Sequence, residues 1–519
     1  MDRQKLINEL RSRQGLAWDM IIIGGGATGM GIALDGTSRG YSVLLLEKAD
    51  FAGATSSRST KLVHGGVRYM AQGDLLLVME ALHERGIMLR NAPHLTSNQE
   101  FIIPVYTFWD TFLYTAGLKF YDLMAGRLSL GKSYFIKKQE ALKRIPNLNP
   151  KGLMGGVVYH DGQFDDSRMV ISLAEACTER GGLVLNYFRV TGLNKDTSGR
   201  IIGVNVMDST SGDTYSLNAG VVINAAGVFA DNIHRMDNPV SRPTIRPSQG
   251  VHLVLGKSFL NGNSALMIPK TEDGRVLFAI PWYGKLVVGT TDTPLDKISE
   301  EPVALDSEID FILKTAGKYL VRAPLREDVL SVFAGLRPLA ADTGNPASTK
   351  EVSRRHRITF SQSHLLSIIG GKWTTYRRMA EETIDRAIKE GCLDKRECIT
   401  YGLKLVRNET TLNGGRLSIY GDDLPALEKL MAENPDLGKP LDNRLPYTRA
   451  EIMMICRNEM PVNIEDILAR RTRALLIDAR ASSDIAPAVA EIMADEMGFD
   501  EDWKTGQVSS FRNLVKNYL

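Results

Sequence analysis

Three glycines at fixed spacing are the first residues in this sequence whose pattern indicates a chemistry. Gly24, Gly26 and Gly29 form the pattern GxGxxG between an apolar run and a stretch with helical character. In such a turn the first glycine permits a sharp bend, the second lets the main chain approach a pyrophosphate, and the third lets the helix pack closely on a sheet. Free N–H groups at the start of that helix attract phosphate. The spacing therefore predicts that residues 21–47 bind a dinucleotide.

An acidic residue follows the next predicted strand, residues 42–46, where a nucleotide ribose is expected. The carboxylate of Glu47 can accept hydrogen bonds from both ribose hydroxyls, and it disfavours a 2′-phosphate by charge repulsion. Strand, glycines, helix, strand and acid follow one another in order, which is more specific than three glycines alone. The motif does not separate FAD from NAD. An ordinary βαβ turn with a solvated Glu47 is the structural alternative.

Three further segments carry the small or polar residues that a dinucleotide site needs. The glycine-rich loop at residues 51–70 offers hydroxyl and N–H donors without bulk, unless it is only a solvated surface loop. Small residues at 225–227 end an apolar strand, where a dinucleotide can pass closely. A glycine pair, 370–371, ends another strand before Lys372 and offers N–H donors to an anion or a ring carbonyl.

The composition of the 519-residue chain limits the classes of function. A hydrophobic fraction of 43% and a charged fraction of 24% are those of a soluble globular protein, and the length indicates two or three domains. A net charge of +2 gives no electrostatic reason to expect nucleic acid. The cysteines have no metal-binding spacing and suit a reducing compartment, so no metal is expected. We expect neither a signal peptide nor a membrane-spanning segment.

Residues 243–292 alternate apolar and polar positions in several short runs, which predicts an antiparallel sheet that holds a substrate. His252 lies in the first of these strands, where a buried core role is the alternative to a role in chemistry. Arg337 follows a glycine further along the chain, in the segment 330–339. These residues and the glycine segments are far apart in the sequence, so only the fold can bring them together.

An aromatic and basic stretch, residues 101–138, allows two interpretations. Apolar and aromatic residues with basic flanks are typical of a helix that lies in a membrane surface. A core helix, or a hydrophobic contact between domains, has the same periodicity. The sequence therefore leaves both interpretations open.

Seven segments in order resemble one family of flavoproteins. They are GGGATGMGIALDGTSRGYSVLLLEK, SSRSTKLVHGGVRY, DGQFDDSR, NAAGVFAD, PWYGKLVVGTTD, AGLRPL and GGKWTTYR, and they cover most of residues 18–380. Their order and content are similar to the FAD-dependent glycerol-3-phosphate dehydrogenases, within the wider D-amino-acid-oxidase-like group. The segment EDILARRTR, residues 465–473, also resembles the C-terminal domain of that family.

The resemblance implies FAD as the cofactor and sn-glycerol 3-phosphate as the substrate. Hydride would pass from the substrate C2 to flavin N5, giving dihydroxyacetone phosphate, and the electrons would reach a membrane quinone. The enzyme would be cytoplasmic and peripherally bound to the inner face of the cytoplasmic membrane, with a homodimer as one option. The alternative is a glycerol-3-phosphate oxidase that passes electrons to O₂ and makes hydrogen peroxide. More distant alternatives are an amino-acid oxidase and a flavin-bearing protein without turnover.

The resemblance also assigns a proton acceptor. An unperturbed imidazole titrates at about pH 6.5, so His252 is the first candidate to take the hydroxyl proton of the substrate. Tyr69 and Lys372 are the rival candidates. Lys372, together with Gly371, more naturally stabilises negative charge on the reduced flavin near N1 and O2.

The phosphate of the substrate needs fixed cations, for which the planar guanidinium fork is well suited. Arg337 and Arg354 are expected to hold it, with help from Arg68. Arg355 stands where the family usually has aspartate, so the choice between Arg354 and Arg355 is open. The expected catalytic residues are His252, Arg337 and Lys372, and the expected substrate ligands are Arg68, Tyr69, Arg337 and Arg354. The expected cofactor contacts are Gly24, Gly26, Ala27, Thr28, Gly29, Glu47, Lys48, Ser57, Lys61, His64, Gly65, Gly227, Gly371, Lys372 and Thr374.

The fold implied is α/β, with an FAD-binding Rossmann-like domain of the glutathione-reductase type, an interleaved antiparallel-sheet substrate domain and a C-terminal all-α domain. Within residues 1–395, the FAD-binding parts are about 15–95, 155–240 and 350–395, and the substrate parts are about 96–154 and 241–349. Residues 396–519 form the C-terminal helical domain, which has no recognisable chemistry. Its arginines Arg470, Arg471 and Arg473 are expected to be solvated.

Overall fold

The computed structural model describes residues 1–67, 70, 73–272, 274–341, 356–409, 412 and 414–519. Two large sheets and a mainly helical C-terminal domain make up this part of the chain, which confirms the predicted fold class. Within these ranges no helix combines the length and the apolar character needed to cross a membrane.

The first sheet is built around the strand Trp18–Ile23, which carries the glycine turn at its end. Its apolar side chains are buried and the helix Ala27–Ser38 packs on it, as expected for a covered parallel strand. From one edge, the strands are Arg357–Phe360, Leu366–Ile369, Thr214–Asn224, Trp18–Ile23, Val43–Leu46 and Leu183–Leu185, with Phe188–Lys195 and Ile201–Asp208 attached through Thr214–Asn224. Trp18–Ile23 runs parallel to both of its neighbours.

The strand Thr214–Asn224 pairs with different strands along its two halves. It is continuous, and its first half pairs antiparallel with Ile201–Asp208. Its second half pairs parallel with Trp18–Ile23. One strand therefore joins the hairpin to the centre of the sheet and brings the small residues after Asn224 beside the glycine turn.

Within the described ranges, the second sheet has ten strands and is antiparallel except for one pair. From one edge its strands are Thr293–Pro294, Ile245–Gly256, Lys285–Gly289, Leu277–Trp282, Ala265–Ile268, Thr96–Val105, Gly155–Phe164 and Leu62–Val63, with Val329–Ala340 beside Ile245–Gly256 and Tyr134–Lys137 beside Gly155–Phe164. The parallel pair joins Ala265–Ile268 to Thr96–Val105. Because Leu62–Val63 belongs to this sheet, the loop before it connects the two sheets.

Among the described residues, the helices before the C-terminal domain include Arg3–Ser12, Ala27–Ser38, Leu75–Asn91, Phe108–Ala125, Lys138–Arg144, Asp166–Thr178, Ala230–Asp237, Asp306–Tyr319 and Tyr376–Lys389. The C-terminal domain contains Leu424–Glu433, Arg449–Asn458, the π-helical turn Asp466–Arg471, Ala474–Ile477, Ala479–Met497 and Glu501–Val515. It also contains a two-stranded hairpin, Pro440–Asp442 with Leu445–Thr448, which the all-α prediction did not include. Its core is shared with the second sheet, since Val254, Trp282 and Phe333 pack among its apolar side chains.

The aromatic and basic stretch is not one helix. Its first part belongs to the buried strand Thr96–Val105, its middle is the helix Phe108–Ala125, and its end contains the strand Tyr134–Lys137. The helix buries only Leu118, Tyr121 and Ala125. The core interpretation therefore applies to the strand, whereas the helix exposes apolar side chains.

Candidate active site

The glycine turn after the central strand is packed too closely to admit a side chain at Gly24 or Gly29. Gly24 has a φ of +117°, and a Cβ there would lie 2.6 Å from the carbonyl oxygen of Ala225. A Cβ on Gly29 would lie 1.8 Å from the carbonyl oxygen of Gly24, so the helix Ala27–Ser38 meets the turn at backbone distance. Gly26 precedes this helix without a capping side chain. In that arrangement the first N–H groups of a helix can face a phosphate.

A cavity of about 600 Å³ opens beside this turn, which is within the usual range for cofactor sites. The predicted cofactor residues in its lining are Gly24, Gly26, Ala27, Thr28, Glu47, Lys48, Gly227, Gly371 and Lys372. Gly29 packs behind the turn instead. Residues from distant segments thus meet at one cavity, as a dinucleotide site requires.

Glu47 is fixed by main-chain donors at the end of the strand Val43–Leu46. Its carboxylate accepts hydrogen bonds from the N–H of Gly25 at 2.6 Å and from the N–H of Ala49 at 3.0 Å. Burial raises the pKa of Glu47, and the two N–H donors oppose that rise. Each carboxylate oxygen keeps further acceptor capacity, so this positioned group can receive the hydroxyls of a ribose.

Ser57 and Lys61 lie behind the cavity wall. The Nζ of Lys61 is fully buried and donates to the Asp166 carboxylate and to the Ser57 carbonyl oxygen, both at 2.7 Å. Burial lowers the pKa of Lys61 to about 7, against the opposing effect of Asp166. Ser56 lines the cavity instead, and its hydroxyl accepts the N–H of Ala27 at 2.9 Å. The two serines lie in a single 3₁₀ turn, Thr55–Ser57, which is too short for a sequence periodicity to show which of them faces inward.

A second cavity of about 140 Å³ has a different set of lining residues, and hydrogen bonds connect its lining to that of the first. The hydroxyl of Thr374 lies 3.3 Å from the N–H of His64, from which it accepts, and 3.4 Å from the carbonyl oxygen of the same residue, to which it donates. Trp373, next to Thr374, lines the larger cavity, and His64 lines the smaller one. The polar lining of the smaller cavity includes Thr60, His64, Asp161, Arg275, Thr290 and Arg337.

Arg337 is held at the wall of the smaller cavity by several acceptors. Its Nη1 lies 3.2 Å from the carboxylate of Asp292 and 3.3 Å from the carbonyl oxygen of Gln249. Its Nη2 donates to the hydroxyl of Thr290 at 3.2 Å and to the carbonyl oxygen of Thr291 at 2.9 Å. These bonds fix the plane of the guanidinium. An anion in the cavity would meet a positioned cation whose charge Asp292 partly offsets.

His252 lies within the second sheet, in the strand Ile245–Gly256, and only 2% of its surface is exposed. Its ring stacks on Phe333, and its Nε2 lies 2.9 Å from the hydroxyl of Thr60. Burial lowers the pKa of His252 well below its usual value, and the nearby Lys61 lowers it further, so the ring is neutral at pH 7. His252 is not in the lining of either cavity. Thr60 is, so it stands between His252 and the smaller cavity.

Three predicted substrate residues lie outside the described part of the chain: Arg68, Tyr69 and Arg354. Arg275, which the sequence did not single out, lines the smaller cavity together with Arg337. Its guanidinium lies over the ring of Phe311, 5.0 Å from the ring centre. A single arginine just before the strand Leu277–Trp282 gives no sequence signal beyond its charge.

The expectation that Arg470, Arg471 and Arg473 are solvated is wrong, because all three are buried. Arg470 Nε and Arg471 Nη2 donate to the carboxylate of Asp50 at 2.5 and 2.9 Å, and Arg473 Nη2 donates to Asp166 at 2.9 Å. Buried cations need such partners, and these partners are more than 300 residues away in the sequence. Asp50 and Arg470 line the larger cavity, so the C-terminal domain forms part of its wall.

No metal-binding cluster is present in the described ranges, where no three His, Cys, Asp or Glu side chains are placed to hold an ion. The four cysteines are free. Burial raises the pKa of Cys177 to about 11, which makes this thiol unreactive at neutral pH. The linings of the two cavities contain no cysteine from the described part of the chain.

Two family descriptions match the chain. Residues 19–377 match the FAD dependent oxidoreductase family, and residues 361–504 match the C-terminal domain of alpha-glycerophosphate oxidase. The chain is 38% identical, over 97% of its length, to the probable mitochondrial glycerol-3-phosphate dehydrogenase of Caenorhabditis elegans, of which it covers 74%. It is 36% identical, over 96% of its length, to the mitochondrial glycerol-3-phosphate dehydrogenase of Homo sapiens, of which it covers 73%.

Solved structures agree with these matches. A glycerol-3-phosphate dehydrogenase from Bacillus halodurans complexed with FAD is similar with a TM-score of 0.79 and 30% identity, over 99% of this chain and 97% of that one. An L-alpha-glycerophosphate oxidase from Mycoplasma pneumoniae shares the fold, with a TM-score of 0.55 and 20% identity over 71% of this chain and 94% of that one. The glycine turn, the fixed carboxylate of Glu47 and the larger cavity fit FAD. The chain belongs to the family of FAD-dependent glycerol-3-phosphate dehydrogenases.

Proposed function

We propose that this protein oxidises sn-glycerol 3-phosphate to dihydroxyacetone phosphate. The observation that carries the proposal is the connection between the two cavities: Thr374, next to Trp373 in the lining of the larger cavity, hydrogen-bonds the main chain of His64 in the lining of the smaller one. FAD, when bound in the larger cavity, supplies the two-electron acceptor of the reaction. The smaller cavity must then bind an anionic alcohol, and a side chain near it must accept one hydroxyl proton.

We assign the binding of the substrate phosphate to arginines at the smaller cavity. Arg337 presents a guanidinium fixed by four acceptors, and Arg275 adds a second guanidinium to the same lining. A planar fork matches phosphate oxygens in pairs, which favours phosphate over a neutral alcohol. Arg68 and Arg354 are proposed as further ligands on the resemblance alone.

The proton of the substrate hydroxyl is proposed to pass through Thr60 to His252. Thr60 lines the smaller cavity and lies at hydrogen-bond distance from the Nε2 of His252. A neutral imidazole can accept a proton, although its lowered pKa means that the charged form lasts only briefly. Lys372, which lines the larger cavity, is proposed to hold negative charge at the edge of the reduced ring.

Steady-state kinetics with two substrates test this phosphate-binding site. Arg337→Ala should raise KM for glycerol 3-phosphate by about tenfold or more, because a charged hydrogen-bond partner is lost. The same change should alter the much weaker oxidation of glycerol far less. Arg326→Ala, which removes a surface arginine from an exposed ion pair, is the control. Equal losses on both substrates would contradict a phosphate role for Arg337.

Stopped-flow reduction of the enzyme tests the proton route. Thr60→Val and His252→Asn should each slow reduction by glycerol 3-phosphate by about a hundredfold, the usual size of a lost acid–base contribution. Thr60→Ser keeps the hydroxyl and should stay within a few-fold of the parent rate. Reduction at the parent rate in His252→Asn would instead assign the proton to Tyr69 or Lys372.

Electrons are proposed to pass to a quinone in a membrane on which the protein docks. The helix Phe108–Ala125 exposes Phe108, Trp109, Phe112, Leu113, Phe120 and Leu123, and Trp109 and Leu123 are 76% and 75% exposed. Exposed basic residues follow along the same stretch: Lys119, Arg127, Lys132, Lys137 and Lys138. An apolar helix face with basic flanks fits the headgroup region of an anionic membrane.

Vesicle sedimentation and oxygen uptake test this part of the proposal. The protein should sediment with anionic phospholipid vesicles, and the triple change Trp109→Ser, Phe112→Ser and Leu123→Ser should abolish the sedimentation. The triple change Val240→Ser, Val321→Ser and Leu325→Ser removes equally exposed apolar groups elsewhere and should have no effect. Rapid turnover with O₂ that makes hydrogen peroxide, without need of a quinone, would favour the oxidase alternative.

A further inference from the structure

Tyr187 joins the wall of the larger cavity to the C-terminal domain. It lines the cavity with its neighbour Phe188, and its φ of +61° is held by a hydrogen bond from its N–H to the carbonyl oxygen of Ala49. Its hydroxyl donates to the carboxylate of Asp466 at 2.7 Å and accepts from the Nδ2 of Asn463 at 2.8 Å. Two residues of the C-terminal domain therefore fix one side chain of the cavity wall.

The last helix continues this connection. The side-chain amide of Gln507, in Glu501–Val515, donates to the Oδ1 of Asn463 at 3.0 Å and accepts the N–H of Ile464 at 3.2 Å. Asn463 and Leu514 themselves line the cavity. The end of the chain thus reaches the cavity directly, through Leu514, and indirectly, through Gln507 and Asn463.

An ion pair and a hydrogen bond also join the C-terminal domain to residues that line the cavity. Arg470 of the C-terminal domain binds Asp50 at 2.5 Å, and both residues line the cavity just beyond Glu47. Glu301, also in the lining, accepts a hydrogen bond from the hydroxyl of Tyr518 at 2.7 Å. Tyr518 is the penultimate residue of the chain. The C-terminal domain therefore touches the cavity at several separate points.

We propose that the C-terminal domain is a clamp that retains FAD, acting at the Glu47 end of the cavity through the Asn463–Tyr187 and Arg470–Asp50 contacts. Release of the dinucleotide would then require these contacts to open. By linkage, bound FAD should in turn stabilise the docked C-terminal domain. The inference rests on FAD binding in the larger cavity and does not depend on the substrate or on the electron acceptor.

The rate of FAD release from the holoenzyme tests the clamp. Tyr187→Phe removes the hydroxyl that Asp466 and Asn463 hold and should speed FAD release about tenfold, the effect of one net hydrogen bond. Tyr420→Phe is the matched control, since that buried hydroxyl donates to Glu451 at 2.8 Å inside the C-terminal domain and away from the cavity. It should lower thermal stability while leaving the release rate unchanged. The readout is the fluorescence of freed flavin after dilution.

A second variant tests the same contact from the far side. Gln507 reaches the cavity only through Asn463. Gln507→Met should therefore speed FAD release about threefold, a smaller increase than in Tyr187→Phe because the link is indirect. The combination of both changes should be less than additive, as expected for residues of one connected network. Release rates equal to the parent in both variants, or an equal increase in Tyr420→Phe, would overturn the proposal.

Discussion

The hydroxyl of Tyr121 accepts a hydrogen bond from the main-chain N–H of Gly65 at 2.8 Å and lies 2.9 Å from the carboxylate of Asp161, to which it donates. Tyr121 is on the buried side of the helix Phe108–Ala125, whose other side is apolar and exposed. Asp161 lines the smaller cavity, and Gly65 lies between the lining residues His64 and Gly66. The helix proposed to meet the membrane is therefore hydrogen-bonded directly to the wall of the smaller cavity.

Loss of this hydroxyl should loosen the cavity wall. Tyr121→Phe leaves the Gly65 N–H and the Asp161 carboxylate each short of one partner, at a cost of about 1–3 kcal/mol. We expect KM for glycerol 3-phosphate to rise about tenfold at most, with a smaller change in kcat, because the loop at residues 64–66 loses its anchor. Tyr134→Phe, which removes a partly exposed hydroxyl, is the control. An unchanged KM would show that the anchor is dispensable.

Two glycines of the turn should respond differently to the same substitution. Gly29→Ala places a Cβ 1.8 Å from a main-chain oxygen, so the backbone must move and both folding and FAD binding should suffer. Gly26→Ala places a Cβ 2.9 Å from the Ser56 hydroxyl, a side chain that can rotate, so the protein should fold while FAD binds less tightly. Thermal unfolding of the apoprotein and titration with FAD separate the two effects. Equal loss of stability in both variants would contradict this distinction.

Acid sensitivity should depend on one buried histidine. His94 is buried, and its Nε2 lies 3.2 Å from the Ser172 hydroxyl. Burial, with a contribution from the nearby Arg168, lowers the pKa of His94 to about 3. Between pH 6.5 and 3, His94 binds a proton in the unfolded chain but stays neutral in the folded protein. Stability should therefore fall as the pH drops through this window, by at most about 1.4 kcal/mol per pH unit from this residue.

Denaturant titrations at several pH values check the histidine prediction. His94→Asn should make the decrease in unfolding free energy between pH 6.5 and 4 smaller, even if this change lowers stability at pH 7. His83→Asn, at an exposed position, should leave the pH dependence of the unfolding free energy unchanged. If the unfolding free energy changes with pH equally in the parent and in both variants, the acid sensitivity belongs to other groups.

The dinucleotide motif could be predicted because its spacing is imposed by geometry. A strand, a sharp turn and a closely packed helix require glycine at Gly24 and Gly29, and Glu47 follows the end of the next strand for the same topological reason. The glycine pair before Lys372 was also informative, because its strand lies two places from the central strand of the same sheet. These signals are local, so no knowledge of distant contacts was needed.

The remaining site residues depend on contacts between distant segments. Three arginines within four residues are usually solvated, and only the fold shows that Asp50 and Asp166 neutralise Arg470, Arg471 and Arg473. The periodicity of a helix shows that one side is apolar but not what covers it. The sequence therefore left the stretch at residues 101–138 open, and it gave no indication that the C-terminal domain forms part of the larger cavity.

The most direct test of the central claim is the absorbance spectrum of the FAD-loaded protein under anaerobic conditions. Addition of one equivalent of glycerol 3-phosphate should bleach the long-wavelength band of the bound flavin, while an equal amount of glycerol should leave it unchanged. Bleaching in this pattern is the result that the proposed function predicts. A fully loaded, folded protein whose flavin spectrum does not respond to glycerol 3-phosphate would contradict it.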